Sequence, residues 1–205
     1  MGFYRKYILP HIIDLAMRNK DAARLRAVWI PRARGEVLEI GIGSGLNLPF
    51  YSSDVKHIHG IDPSWELHQI DRNRTVEQQL QAEFHLQSAE ESLPVPEESI
   101  DTVVSTWTLC SIPNVFRALE HMKRALKKDG YFIFIEHGRA PDTRVSIWQD
   151  RLTPLWKRIT GGCHLNRKID DLIASAGFRI VELKTCYLPG PRPMTYTYQG
   201  MAQRV

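Results

Sequence analysis

Short apolar runs alternate along this chain with stretches in which apolar positions recur every three or four residues. That alternation predicts strands interleaved with helices. Val37, Leu38 and Ile40 form the first run, His57 to Ile61 the second and Glu83 to Gln87 the third. Asp101 to Thr106 is β-branched, as buried parallel strands tend to be, and Tyr131 to Glu136 is almost wholly apolar. Between these runs, Ser64 can cap a polar surface helix reaching about Gln81. Pro113 opens a helix whose apolar face is Phe116, Leu119, Met122 and Leu126, with Gly130 as its end. The pattern predicts a mostly parallel three-layer α/β domain.

Both flanks of this core depart from the rhythm. Residues 1–30 read as a helical cap, with Tyr4, Tyr7, Ile8, His11, Ile12, Leu15 and Ala16 at helical spacing. Arg5, Lys6, Asp14 and Arg18 supply its polar face, and Pro10 kinks it or ends its first turn. Such a segment is either a lid packed over the site or onto the sheet, or an element lying on a membrane surface. In residues 140–166, Trp148, Leu152, Leu155, Trp156 and Ile159 form one broad helical stripe. That stripe either packs on the core or forms a lid or substrate wall over the site. Asn166 can cap the next helix and Gly177 end it, and Phe178 to Leu183 with Thr195 to Gln203 form a final strand pair. A loop from Pro189 to Pro193 joins the pair, and the 205 residues make one domain.

Composition narrows the classes. The chain is 43% hydrophobic and 24% charged, as soluble globular proteins are. Its net charge of +4 is spread out, and Lys123-Arg124 with Lys127-Lys128 reads as a helix end favourable to cations. No nucleic-acid surface is expected. Cys110, Cys163 and Cys186 lack metal-ligand spacing, which predicts no metal site and fits a reducing compartment. With no secretory leader and no run near the ~20 residues of a membrane span, a cytoplasmic location is the expectation.

The chemistry starts where the first strand breaks. Glu39-Ile40-Gly41-Ile42-Gly43-Ser44-Gly45 places three glycines at alternate positions, where the backbone can turn tightly and admit a ligand against the main chain. A dinucleotide site would carry its third glycine at 46, and that position holds Leu46. Glu39 would repel a pyrophosphate and hold a cationic amino-acid ligand. Asp62, 21 positions after Gly41 and followed by Pro63, stands at the carboxyl end of the second strand, where a carboxylate can accept both ribose hydroxyls. Together Glu39, the glycine turn and Asp62 point to a nucleoside cofactor without phosphates, S-adenosylmethionine.

With these residues the sequence resembles the class I S-adenosylmethionine-dependent methyltransferases, from about Glu36 to the C-terminus. The resemblance implies a Rossmann-like sandwich on a seven-stranded, mostly parallel sheet whose last strand is antiparallel. It implies cofactor contacts from Gly41, Gly43, Ser44, Gly45, Asn47 and Asp62, an adenine-binding loop at Ser88-Ala89-Glu90, and S-adenosylhomocysteine as product. That loop often carries an Asp where this chain has Ser88. Thr108-Leu109-Cys110-Ser111, Glu136-His137, Trp148-Gln149, Pro154-Leu155-Trp156 and Gly162-Cys163-His164-Leu165 are similar to the small methyltransferase-like seven group, whose animal members act on alkyl thiols. This chain lacks the long apolar anchor that begins those members. Gly45 to Tyr51 also looks like bacterial phospholipid N-methyltransferases and quinone C-methyltransferases.

The expected function is therefore methyl transfer to a small-molecule acceptor, with a thiol first and a phospholipid amine or quinone ring as alternatives. A module that binds the cofactor only to regulate a partner is the non-enzyme alternative. Thr106 and Trp107 reach the crevice from the fourth strand. His137, at the end of the fifth, is the candidate general base, because histidine titrates near neutral pH. His164 is a second candidate, and Cys110 reads as core.

Overall fold

The computed structural model describes residues 3–70 and 81–205. Seven strands form one sheet: β1 (Gly35–Ile40), β2 (Val55–Ile61), β3 (Gln81–His85), β4 (Ile100–Thr106), β5 (Leu126–His137), β6 (Phe178–Tyr187) and β7 (Tyr196–Arg204). Their order is β3-β2-β1-β4-β5-β7-β6. Strands β1 to β5 pair in parallel, and β7 runs antiparallel to both its neighbours. This is the seven-stranded sheet expected. Its order reverses between β1 and β4, and the crevice outside their carboxyl ends is where open α/β sheets bind ligands.

Alternation along the strands splits the core into two layers. Leu38 and Ile40 of β1 face a cluster with Leu119, Met122 and Phe178, while Val37 faces a second cluster around Trp29, Ile30 and Ile133. Helix α4 (Val115–Ala125) supplies the first layer with Ala118, Leu119 and Met122, and the Asn114 side chain caps it. Helix α2 (Lys20–Trp29) supplies the second: Trp29 is fully buried and its indole donates to Gln199 at 2.6 Å. Ahead of it lie a π-helical turn (Tyr4–Ile8) and α1 (Leu9–Met17), with Pro10 in the first turn of α1. The N-terminal cap is thus two helices, and Pro10 stands where its missing N–H costs nothing.

Several boundaries differ from the sequence reading. The helix before β5 ends at Ala125, and Leu126 is extended and opposite Ile100. Gly130 lies inside β5, where a Cβ would sit 2.7 Å from Leu126 Cδ1 and 3.0 Å from the Asp101 carbonyl oxygen. Close packing, and not a helix end, is what requires glycine there. Strand β6 continues to Tyr187. Asn166 does not cap α6 (Ile169–Ser175) but donates to Asp150, whereas Gly177, at φ +83°, ends that helix as expected. Ser64 Oγ accepts from the Leu67 N–H at the start of α3 (Trp65–Ile70), and the rest of that expected helix, 71–80, lies outside the described residues.

Helix α5 (Thr143–Ile159) presents the largest surprise. It buries Ser146, Gln149 and Thr153 and leaves Trp148, Leu155 and Ile159 exposed. Gln149 decides this, donating to the Gly138 and Pro193 carbonyls and accepting from the Ala140 N–H. Buried backbone groups must be paired, and that requirement overrides the apolar stripe.

Candidate active site

The three glycines of the β1 turn all adopt left-handed backbone, at φ +73°, +56° and +73° for Gly41, Gly43 and Gly45. They differ in what a side chain would meet. A Cβ on Gly41 would lie 2.0 Å from Thr108 Oγ1, and one on Gly45 would lie 2.7 Å from Leu48 Cδ1. On Gly43 it would meet nothing nearer than Leu67 at 3.8 Å and Asp62 Oδ2 at 3.9 Å. A Cβ there would make only ordinary van der Waals contact with Leu67, Asp62 and the Gly41 carbonyl oxygen, and would displace none of them. A ligand that lies against backbone fits this cradle.

Asp62 directly follows β2. Its Oδ2 accepts from the Gly43 N–H at 3.0 Å and its Oδ1 from the Ser64 N–H at 2.8 Å. Each oxygen keeps a second lone pair for a hydroxyl. Burial pushes this carboxyl up to about 6, against the pull of those two backbone donors. Beside it, Ile42, Trp65, Phe84, His85 and Leu86 line a small cleft. Trp65 and Leu86 are half-exposed apolar side chains that the sequence reading missed. A tryptophan three residues after a ribose-binding candidate was the available signal.

Glu39 is 1% exposed, yet neither of its oxygens is free. Oε1 accepts from Asn47 Nδ2 at 2.8 Å and Oε2 from the Tyr51 hydroxyl at 2.7 Å. Burial pushes Glu39 up to about 7 despite these bonds and the nearby Arg26. Asn47 also donates to Thr106 Oγ1 and accepts from Arg26 Nε, so one amide ties β1, β4 and α2 together. Ser44 Oγ donates to the buried Asp14 of α1 at 2.5 Å, and Asp14 in turn holds Arg18. Both N-terminal helices are therefore fastened to the glycine turn. The parts played by Arg26, Tyr51 and Asp14 are not legible in sequence, where Asp14 reads only as a polar-face residue, because their partners are distant along the chain.

On the far side of the turn, Trp107 has φ +50°, a strained value for a bulky residue, and Arg26 lies 4.9 Å above its ring. Glu136, fully buried, accepts through Oε1 from Ser105 Oγ and from the N–H groups of Thr108 and Leu109. It anchors the loop that carries Trp107. His137 is 6% exposed, its Nδ1 lies 3.7 Å from Cys163 Sγ, and its Nε2 has no hydrogen-bond partner among the described residues. The fold gathers Cys110, His137 and Cys163 so that their ligand atoms lie within 4.8 Å of one another, which the cysteine spacing gave no reason to expect. The contact between the thiols holds Cys163 below the ordinary range and pushes Cys110 well above it. His164 is tied through Nδ1 to the Cys110 carbonyl, and burial lowers its pKa.

Ser88, Ala89 and Glu90 follow β3 in a loop tied to itself and to α4. Ala89 belongs to the core, Ser88 Oγ accepts from the Glu90 N–H, and Glu90 Oε1 accepts from the Asn114 N–H at the start of α4. Pro63 is exposed beside Asp62.

A methyltransferase-domain family model matches residues 38–134. The thiol S-methyltransferase TMT1B of Rattus norvegicus is 33% identical over 151 residues, covering 72% of this chain and 62% of that protein. The chain therefore spans less than two thirds of that relative. A phosphatidylethanolamine N-methyltransferase of Cereibacter sphaeroides is 33% identical over 173 residues, 84% of this chain and 83% of the relative. Among solved structures, an S-adenosylmethionine-dependent methyltransferase of Methanosarcina mazei superposes with a TM-score of 0.65 at 22% identity, covering 83% of this chain and 92% of that one. At that identity the likeness speaks for the fold.

Proposed function

This chain belongs to the S-adenosylmethionine-dependent methyltransferases, and we propose that it methylates a small apolar thiol. Bound at the glycine turn, S-adenosylmethionine supplies an electrophilic methyl group on a cationic sulfur. Asp62 accepts from the ribose hydroxyls, and the Gly43 main chain leaves room for the nucleoside. The Trp65–Phe84 cleft takes the adenine. Glu39, with both oxygens already used, acts on the cationic amino-acid end by its field and through Asn47. The cap and the 140–166 insertion border the site within a single domain.

The observation that carries the acceptor reading is His137, buried at the end of β5 with Nε2 unpaired. Positioned there, His137 takes the proton from the acceptor thiol. With S-adenosylmethionine bound, the thiolate so formed would accept its methyl group, and the electron pair of the broken bond would stay on the cofactor's sulfur. Products are a thioether, S-adenosylhomocysteine and one proton on His137. Thiols react as thiolates, which is why a base helps. The thiol S-methyltransferase relative supports the same class.

A second reading, methylation of a phospholipid amine, is favoured by a particular surface. Phe3, Tyr7, Ile12 and Leu15 are exposed near the exposed stripe of α5, and Tyr4 donates to the Ile159 carbonyl where the two segments meet. Among the described residues no helix is long and apolar enough to cross a membrane. Incubation with methyl-labelled S-adenosylmethionine and either small alkyl thiols or phosphatidylethanolamine vesicles separates the readings. The proposal predicts label in thioethers, and label only in lipid would replace it with the second reading.

Ionisation of the site predicts a pH dependence. Asp62 and Glu39 hold protons up to about 6 and about 7 in the free protein. Their ionised forms favour the ribose hydroxyls and the cationic ligand, so binding releases those protons. Cofactor affinity should therefore climb between about pH 5 and pH 7. Calorimetry in two buffers of different ionisation enthalpy reads the proton release directly. A flat affinity across that window would contradict these assignments.

A further inference from the structure

Next to the cleft that His85 also lines, three histidines and two glutamates share one face of the β1-β2-β3 edge. Glu36 lies on β1, His57 and His59 on β2, and Glu83 and His85 on β3. Residues two apart on a strand share a face, and the register sets His59 directly opposite Glu83. Alternation aligns them with Leu38 and Ile40, on the α4 side of the sheet. Residues 86–99, which follow β3, contain no helix that would cover them.

The geometry is that of a ligand set. Glu83 Oε2 lies 3.8 Å from His59 Nδ1 and 3.8 Å from His85 Nε2, and all three atoms fall within 4.8 Å of one another. Tetrahedral zinc with bonds of ~2.0–2.2 Å places neighbouring ligand atoms ~3.3–3.6 Å apart. His59 Nδ1 and His85 Nε2 are both buried and make no hydrogen bond among the described residues. Two buried ring nitrogens without partners, converging on one carboxylate, cost stability unless something satisfies them.

The other ring nitrogen of His59 is also held. Its Nε2 lies 3.1 Å from His57 Nδ1 and 3.8 Å from Glu36 Oε2. An outer carboxylate or histidine that fixes the tautomer of a ligating imidazole is the usual second layer of a metal site.

We propose that His59 Nδ1, His85 Nε2 and Glu83 bind one divalent transition-metal ion of the zinc class, with Glu36 and His57 orienting His59. Glu83 is 58% exposed at its side chain, so the ion stays open to solvent with a position for water. The ion joins β2 to the edge strand β3 close to Asp62, whose N–H donates to the His85 carbonyl. It satisfies the two orphaned nitrogens at the edge of the sheet and does not take part in methyl transfer.

Tag-free protein, stripped with chelator, is titrated with Co2+ as a spectroscopic probe and then with Zn2+ in competition. The expected result is one equivalent bound, visible cobalt bands without a thiolate charge-transfer band, displacement by Zn2+, and a raised Tm. Glu83→Gln, at an exposed side chain that should not disturb folding, and His85→Gln should each weaken binding at least about tenfold. Three results would overturn the site: no saturable binding, binding undiminished in Glu83→Gln, or a thiolate band abolished by Cys163→Ser.

Discussion

Replacing Gly41 with alanine should lower Tm by about 5–15 °C. Two costs add. A non-glycine residue in left-handed backbone costs ~1–2 kcal/mol, and φ at Gly41 is +73°. A Cβ 2.0 Å from Thr108 Oγ1 must also displace that side chain, which lies in the loop held by Glu136, and overpacking of this kind costs ~1–3 kcal/mol. For a domain of this size each kcal/mol moves Tm by ~2–4 °C. Gly43→Ala provides the internal comparison. It carries the conformational cost alone, because its Cβ meets nothing within 3.4 Å. Differential scanning calorimetry of both variants decides the matter, and equal losses would show that the contact with Thr108 is not what demands glycine at 41.

The second large effect concerns turnover. His137→Asn should reduce kcat on a thiol by ~10²–10⁴-fold, the usual contribution of a positioned general base. Affinity for S-adenosylmethionine should stay unchanged, since His137 lies with Cys110 and Cys163. A purely structural histidine would not show one further signature. As pH rises toward the ~8.5 of a free thiol, the acceptor ionises by itself and the variant should regain rate relative to wild type. A kcat that is unchanged, or a deficit that is the same at pH 7 and pH 9, would remove His137 from the proton-transfer role.

Much of this architecture can be read along the chain. The apolar runs of β1, β4 and β5 are short, bounded and β-branched, so periodicity identifies them. Asp62 and the glycines are legible because backbone geometry demands particular residues at particular spacings. Leu126 was misassigned because it suits either a helix face or a strand, and pairing with Ile100 decides between them. The inverted helix α5 was hidden for a different reason. Its orientation follows from the Gly138 and Pro193 carbonyls and the Ala140 N–H, which Gln149 pairs, and no local pattern encodes that need.

Parts of the site were equally invisible. Cys163 meets His137 across 26 positions, and Arg26 reaches Asn47 across 21. The histidines of β2 and β3 read in sequence as ordinary strand residues, because only the register places His59 opposite Glu83. Side-chain networks of this kind depend on which strands are neighbours. That information resides in topology.

The central claim is that the glycine turn and Asp62 hold S-adenosylmethionine, and titration calorimetry of wild type and Asp62→Ala tests it most directly. The account predicts one site in the wild type and a loss of ~1–3 kcal/mol in the variant, roughly 5- to 150-fold in affinity. Equal affinity in the two proteins, or no binding to the wild type, would contradict it.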